Sequence, residues 1–115
     1  MKVIERSREF SKVEEYLMTL SKDSVSCKDI EDGDTIDVAG YLVYEDVNSK
    51  GEQVEMLSII TPNKEVFSTQ SATFKESFKN MFEMMEGAQF TIIKKSGTTK
   101  AGRPYIDCSL DVTNL

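Results

Sequence analysis

The sequence has no histidine and no tryptophan, only two cysteines and two prolines, and no long hydrophobic run. Without histidine, the chain lacks the most common general base and the Ser-His and Cys-His pairs that activate nucleophiles. Two cysteines alone cannot complete a tetrahedral zinc site, and no acidic segment has the ligand spacing of a calcium loop. The glycines form no phosphate-binding or dinucleotide motif. We therefore predict a protein that is not an enzyme and that holds no metal or cofactor.

The two cysteines, Cys27 and Cys108, lie far apart in the sequence and form no CxxC pair. Such a pattern is typical of reduced thiols in a cytoplasmic protein. Cys108 lies in an apolar alternation and is predicted to be a small core residue. The first ten residues, MKVIERSREF, carry charges every few positions, so we expect neither a signal peptide nor a membrane span. These features predict a soluble protein of the cytoplasm.

What the sequence does contain is enough apolar material for a core, with 39% hydrophobic residues in a chain of 115. Its net charge of −6 argues at first against nucleic acid, whose binders usually present a basic surface. The charges are segregated, however. Residues 23–65 hold eleven acidic and three basic side chains, whereas residues 88–106 hold four basic side chains and no acidic one. The second segment is therefore a candidate binding surface.

Two helices are predicted from apolar residues at three- and four-residue spacing. The first covers residues 10–21, where Ser11 and Glu14 offer a capping box; its apolar residues are Phe10, Val13, Leu17 and Leu20. The second begins at a capping box of Thr73 and Glu76 and ends before Gly87. Its apolar face consists of Phe74, Phe78, Met81, Phe82 and Met85.

Alternating apolar residues predict five strands. The first begins near residue 34 and contains Gly40, which indicates a bulge or a bend. Strands over 54–61 and 65–69 complete a meander, and strands over 90–95 and 104–112 form a hairpin around SGTTKAGR. The order of elements is that of an OB-fold, a mainly β fold with a five-stranded Greek-key barrel and a helix between strands 3 and 4. We expect a single domain over 1–115, with an N-terminal helix at 10–21 and the barrel at 34–112.

The last hairpin carries the candidate nucleic-acid-binding residues, because cations can track phosphates while aromatic rings stack on bases. The cations are Lys94, Lys95, Lys100 and Arg103, and Tyr105 lies on the polar face at the base of the hairpin. Three further aromatic candidates and one lysine in the first strand-to-strand loop complete the predicted site: Tyr41, Tyr44, Phe67 and Lys50. The hairpin residues would equally suit a solvated β-hairpin whose lysines protect a sheet edge.

Three runs of this sequence resemble the small single-stranded DNA-binding proteins of bacteriophages that infect Gram-positive bacteria. They are KDIEDGDTIDVAGYLVYED, LSIITPNKEVFSTQSATFKESFKNMFE and KKSGTTKAGRPYIDCSL, and the resemblance covers about residues 10–112. It implies an OB-fold protein that coats single strands during phage replication or recombination, without sequence preference and without catalysis. Lys95, Lys100, Arg103 and Tyr105 match the pattern of that family best.

This resemblance implies single-stranded DNA as the partner, in the cytoplasm of a bacterial host, with RNA and replication proteins as further candidates and no membrane. An unpaired barrel edge or the leading helix could also support a homodimer. A different function is left open by the acidic segment 23–65, which would suit an interaction module or DNA mimic that blocks a DNA-binding partner. An OB module that recognises oligosaccharide or protein is a version of this alternative, since a fold does not determine its function.

Overall fold

The computed structural model describes residues 1–113 and is mainly β, with two helices. In chain order, the elements are β1 (Lys2–Arg6), α1 (Lys12–Thr19), β2 (Val25–Ser26), β3 (Thr35–Val38), β4 (Gly40–Val47), β5 (Gln53–Ile60), β6 (Val66–Thr69), α2 (Ala72–Met85), β7 (Phe90–Thr98) and β8 (Pro104–Leu110). The strands form a five-stranded sheet in the order β1-β4-β5-β6-β2 and a three-stranded sheet in the order β3-β7-β8.

The predicted first strand is two strands that belong to different sheets. β3 pairs with β7, and β4, which starts only two residues after β3 ends, pairs with β5. The change of sheet occurs at Ala39 and Gly40, where the N-terminal segment approaches closely. A Cβ at Gly40 would lie 2.9 Å from the Phe10 ring and 3.2 Å from Ser7 Oγ. The position therefore has no room for a side chain, and the bend predicted from Gly40 is found there.

The predicted five-stranded barrel is found as two separate sheets in the described residues. β6 would have to pair with β8 to close it, but β6 instead pairs in parallel with β2, through Val25 with Phe67 and Ser26 with Ser68. β8 consequently lies at the edge of its own sheet. Residues 22–26 have the mostly polar sequence KDSVS, so β2 was not predicted. Because β2 occupies the edge of β6, the two sheets stay separate on this side.

The N-terminal strand β1 was also not predicted, because its charged residues interrupt any apolar alternation. It pairs antiparallel with β4, from Lys2 opposite Glu45 to Arg6 opposite Leu42. Its side chains alternate between exposed and half-buried, as expected for an edge strand. β1 thus extends the five-stranded sheet beyond the predicted meander of β4, β5 and β6, which is present as predicted.

Helix α1 lies on the outer face of the five-stranded sheet. Its capping box is confirmed, since Ser11 Oγ accepts from Glu14 N at 3.1 Å and Ser11 N donates to Glu14 at 2.9 Å. The predicted apolar face is wrong in part, because Met18 is the buried residue, whereas Val13 and Leu20 are exposed. Met18 packs in a cluster with four sheet residues, Leu42, Tyr44, Ile60 and Val66. A hydrogen bond from Ser58 Oγ to the Met18 carbonyl, at 2.5 Å, joins the helix to β5.

Glu14, in the capping box of α1, is expected to make the stability of the fold depend on pH in the acid range. Lys64 Nζ at 2.8 Å, the Ser11 amide and Arg8 at 3.3 Å all donate to this carboxylate, and they lower its pKa from 4.5 to about 2. A carboxyl with a lowered pKa stabilises the fold above its ordinary pKa, and that stability is lost as pH falls from about 4.5 toward 2. We expect the melting temperature of Glu14→Gln to fall less than that of the wild type between pH 5 and pH 2. An equal fall in the melting temperatures of Glu14→Gln and the wild type over this pH range would contradict this role of Glu14.

Helix α2 packs on the inner side of the sheets and fills the main core. Phe74 and Phe78 are fully buried there, together with Ile92 of β7 and Leu57 of β5. The predicted cap is wrong, because the N-cap is Ser71 and not Thr73. Ser71 Oγ accepts from Phe74 N at 3.2 Å, so the helix starts one residue before Thr73. The apolar face predicted for this helix is confirmed by its contacts in the core.

Both cysteines are free and buried in this same core. Cys27 follows β2 and Cys108 lies on β8, which confirms the core placement predicted for Cys108. Burial raises the pKa of each thiol to about 12, so both remain protonated at neutral pH. Neither α1 nor α2 combines the length and the apolar character that a membrane crossing requires.

Candidate functional site

A groove of about 610 Å³ lies where the β7–β8 hairpin meets the edge of the five-stranded sheet. Its walls come from β2, β5, β6, the connection to α2, β7 and β8. The lining residues are Ser26, Lys28, Met56, Ser68, Thr69, Gln70, Ser71, Lys94, Ser96, Pro104, Tyr105 and Ile106. The groove exists because β2, rather than β8, occupies the edge of β6.

The lining of this groove differs in charge from the rest of the chain. Two lysines contribute to it and none of its twelve lining residues is acidic, although the chain has 20 acidic and 14 basic residues. Five serine and threonine hydroxyls and the Gln70 amide offer hydrogen bonds, and Met56, Pro104, Tyr105 and Ile106 offer apolar surface. Such a lining can bind a ligand that combines negative charge, polar edges and flat apolar faces.

Lys94 is buried at the β7 wall of the groove. The sequence analysis did not predict that this lysine would be buried. Its side chain is 6% exposed, and its Nζ donates to the Ile30 carbonyl at 2.8 Å and lies 3.2 Å from Asp32 Oδ1. The same carboxylate oxygen accepts from Ser96 Oγ at 2.5 Å. The Ser96 and Lys94 contacts hold the pKa of Asp32 below its ordinary value, so this carboxylate is charged at neutral pH.

Tyr105 is the one exposed aromatic residue among the predicted site residues, and it also lines the groove. It lies opposite Gly97 in the β7–β8 pair, and its ring covers that glycine. A Cβ at Gly97 would stand 2.5 Å from Tyr105 Cζ, so a larger residue there would displace the ring. Gly97 therefore fixes where Tyr105 presents its ring.

The three other hairpin cations are exposed. Lys95 lies on the outer face of β7 opposite Asp107, and Lys100 and Arg103 lie in and beside the turn that joins β7 to β8. That turn is closed by hydrogen bonds between Thr99 and Arg103, at 2.9 Å from Thr99 N to the Arg103 carbonyl. These three cations are carried by the hairpin that forms one wall of the groove, but they are not among the residues that line it.

Tyr41 and Tyr44 are both buried and cannot offer a ring face to a ligand, which corrects their prediction as stacking residues. Tyr41 contacts the rings of Phe78 and Phe82, with centroids 5.4 Å and 4.8 Å apart, and its hydroxyl donates to Glu5. Tyr44 lies beneath α1, in the cluster around Met18, where burial raises the pKa of its phenol.

Phe67 and Lys50 are also separate from the groove. Phe67 pairs with Ile59 and is half-buried against the main core, so its ring lies on the inner side of the sheet. Lys50 is exposed in the turn between β4 and β5, where Asn48 Oδ1 accepts from its backbone N–H at 3.0 Å. Neither residue is among those that line the groove.

Sequence reasoning missed the residues of the opposite wall, above all Lys28, Met56 and Gln70. They come from three separate segments. The pairing of β5 with β6 brings Met56 beside Gln70, and the pairing of β2 with β6, which has no local signal in the sequence, adds Lys28. Within residues 1–113, no cluster of three or more Cys, Asp or Glu residues is arranged to hold a metal ion. Comparison with protein-family models, with curated proteins and with solved structures finds no match for this chain.

Proposed function

We propose that the protein binds single-stranded DNA, without sequence preference, in the groove between the β7–β8 hairpin and the five-stranded sheet. The observation that carries this proposal is a groove without acidic lining in a chain of net charge −6. Two lysines and Tyr105 line it, and the hairpin that forms one of its walls carries three further exposed cations. A backbone of phosphates with stacked bases is a ligand that offers both the charge and the flat apolar faces this lining can bind.

The order of elements supports an open variant of the OB-fold as the frame of this site. A bent first strand, here β3 with β4, is followed by β5, β6, a helix and the β7–β8 hairpin. In OB-folds, oligonucleotides bind on the face of the second and third strands, between two flanking loops. The groove borders β5 and β6 and is flanked by the last hairpin, while α1 covers the remainder of the outer face of that sheet.

The proposed mechanism divides binding between two kinds of contact. Lys95, Lys100 and Arg103 attract phosphates, which makes affinity depend strongly on salt. Tyr105 stacks on a base, a contact worth about 1–3 kcal/mol that tolerates any sequence. Coating of single strands in phage replication or recombination, in the cytoplasm of a bacterial host, would follow from occupancy alone and requires no catalysis.

A salt-series titration tests this proposal. A fluorescent oligo-dT of about 25 nucleotides exceeds the 4–16 nucleotides that one OB-fold covers. We expect it to bind, with log K falling linearly against log salt at a slope of about −0.7 for each phosphate neutralised. Duplex DNA of the same length and an RNA strand serve as the comparisons. Duplex binding that equals or exceeds single-strand binding would overturn the proposal.

The acidic segment supports one competing function, a DNA mimic that binds a basic partner. Asp29, Glu31 and Asp34 in this segment are exposed, and none of the three is among the residues that line the groove. For such a protein the titration would show no binding to any oligonucleotide. A basic DNA-binding protein would instead be retained on the immobilised protein and released by salt.

A further inference from the structure

We propose that Lys94 and Ser96 form a binding subsite for one phosphate of the strand, and that Asp32 occupies this subsite in the free protein. This inference rests on the proposed function and assigns a regulatory part to a carboxylate of the chain itself. The geometry that points to it is a single oxygen, Asp32 Oδ1, which accepts from Ser96 Oγ at 2.5 Å and lies 3.2 Å from Lys94 Nζ. A phosphate oxygen would accept from the same two groups.

The two donors belong to the groove, whereas the carboxylate does not. Lys94 and Ser96 both line the groove, and they lie on the same face of β7 because they are two residues apart. Asp32 is absent from the lining, and its side chain is 58% exposed. It reaches the two donors from the turn before β3. The carboxylate thus contacts two donors of the groove although Asp32 is not itself among the lining residues.

The turn that carries Asp32 is fixed directly to Lys94. Gly33 N donates to the Lys94 carbonyl and Lys94 N donates to the Asp34 carbonyl, each at 2.9 Å. Gly33 has a φ of 95°, a conformation that favours glycine, and the Glu31 amide donates to the Asp34 side chain at 3.0 Å. The backbone therefore holds Asp32 beside the ammonium group, while its exposed side chain remains free to rotate away.

Lys94 keeps a partner when Asp32 leaves. An ammonium group has three donors, and one of them is used by the Ile30 carbonyl at 2.8 Å. A second donor can therefore pass from the carboxylate to a phosphate without leaving the buried nitrogen unpaired. In the wild type this exchange replaces one anion by another, so the contact adds little to the salt dependence of binding.

Replacing Asp32 with Asn tests the inference, because it removes the competing charge and keeps a hydrogen-bond acceptor. We expect Asp32→Asn to bind the oligo-dT about three- to tenfold more tightly than the wild type at 50 mM salt, with a slope steeper by about 0.7, which corresponds to one more phosphate neutralised. Asp37→Asn is the matched control. It removes the same charge from the neighbouring strand β3, where Asp37 accepts from Thr91 Oγ1 at 2.7 Å.

Equal gains in Asp32→Asn and Asp37→Asn would overturn the inference, since they would reflect net charge alone. The gain of Asp32→Asn should also disappear in the Lys94→Met background, and its persistence there would exclude Lys94 as the phosphate ligand. Inorganic phosphate alone, at constant ionic strength, should not raise the melting temperature of Asp32→Asn. Stabilisation by phosphate without tighter strand binding would assign the subsite to the free ion and overturn the proposal.

A measurement on the wild-type protein is independent of any variant. The pKa of Asp32, read from its side-chain ¹³C shift, should rise toward its ordinary value when oligo-dT is added, because the carboxylate leaves Ser96 and Lys94. An unchanged pKa in a protein that binds the strand would overturn this inference and leave the proposed function standing. Absence of strand binding by the wild type would overturn both.

Discussion

Replacing Phe78 with alanine is expected to lower the free energy of unfolding by about 3–5 kcal/mol, the range for truncating a buried phenylalanine. Phe78 is fully buried on the inner face of α2. Its ring centroid lies 5.4 Å from that of Tyr41 in the five-stranded sheet and 6.1 Å from that of Phe90 in the three-stranded sheet. One side chain therefore contacts both sheets, and its loss would leave a cavity where they meet.

Urea denaturation followed by circular dichroism measures this loss. Met84→Ala is the matched control, because Met84 lies on the same helix and is 81% exposed. We expect it to change stability by less than about 0.5 kcal/mol, as is usual for exposed positions. A Phe78→Ala variant as stable as Met84→Ala would mean that α2 does not connect the sheets as the structure indicates.

Replacing Lys95, Lys100 and Arg103 together with alanine is expected to weaken single-strand binding on the order of 100-fold at 50 mM salt, and to reduce the salt slope by about 2. All three side chains are exposed on the β7–β8 hairpin. Their loss removes three charged contacts but no core packing, so the melting temperature should stay close to that of the wild type. The titration with oligo-dT described above measures both quantities.

The control for this triple variant removes the same number of positive charges from a different part of the chain. Lys2, Lys12 and Lys22 are exposed in the N-terminal part of the chain and contribute nothing to the groove. Their replacement with alanine should leave the slope nearly unchanged, apart from a weak long-range effect. Equal losses in the two triple variants would show that binding depends on overall charge and would place the interface elsewhere.

The elements that the sequence predicted well are those with a strong local pattern. α2 has an apolar face over four turns, and β5, β6, β7 and β8 have alternation flanked by glycine or proline. β2 has two residues and is a strand only because Val25 and Ser26 pair with β6, a contact between segments some forty residues apart. No local signal encodes such a pairing. For this reason the sequence predicted one five-stranded barrel where the described residues form two sheets.

The predicted site failed where a strand is buried on both faces. Tyr41, Leu42, Val43 and Tyr44 follow one another in β4 and are all buried, because α2 and the core cover one face of this strand and α1 covers the other. Alternation separates two faces but does not show which of them is exposed. The β7–β8 hairpin extends past the core, so its exposed cations and Tyr105 could be identified from charge and glycine content alone.

The two buried thiols allow opening of the core to be measured by chemical labelling. Cys27 adjoins β2 of the five-stranded sheet, Cys108 belongs to β8 of the three-stranded sheet, and both face the core between them. A thiol-reactive dye can reach them only when this core opens, because the thiolate is the reactive form and requires solvent. The rate at which the dye labels the native protein therefore reports how often the core opens. Single-stranded DNA bound across the groove would slow this labelling without contacting either sulfur atom.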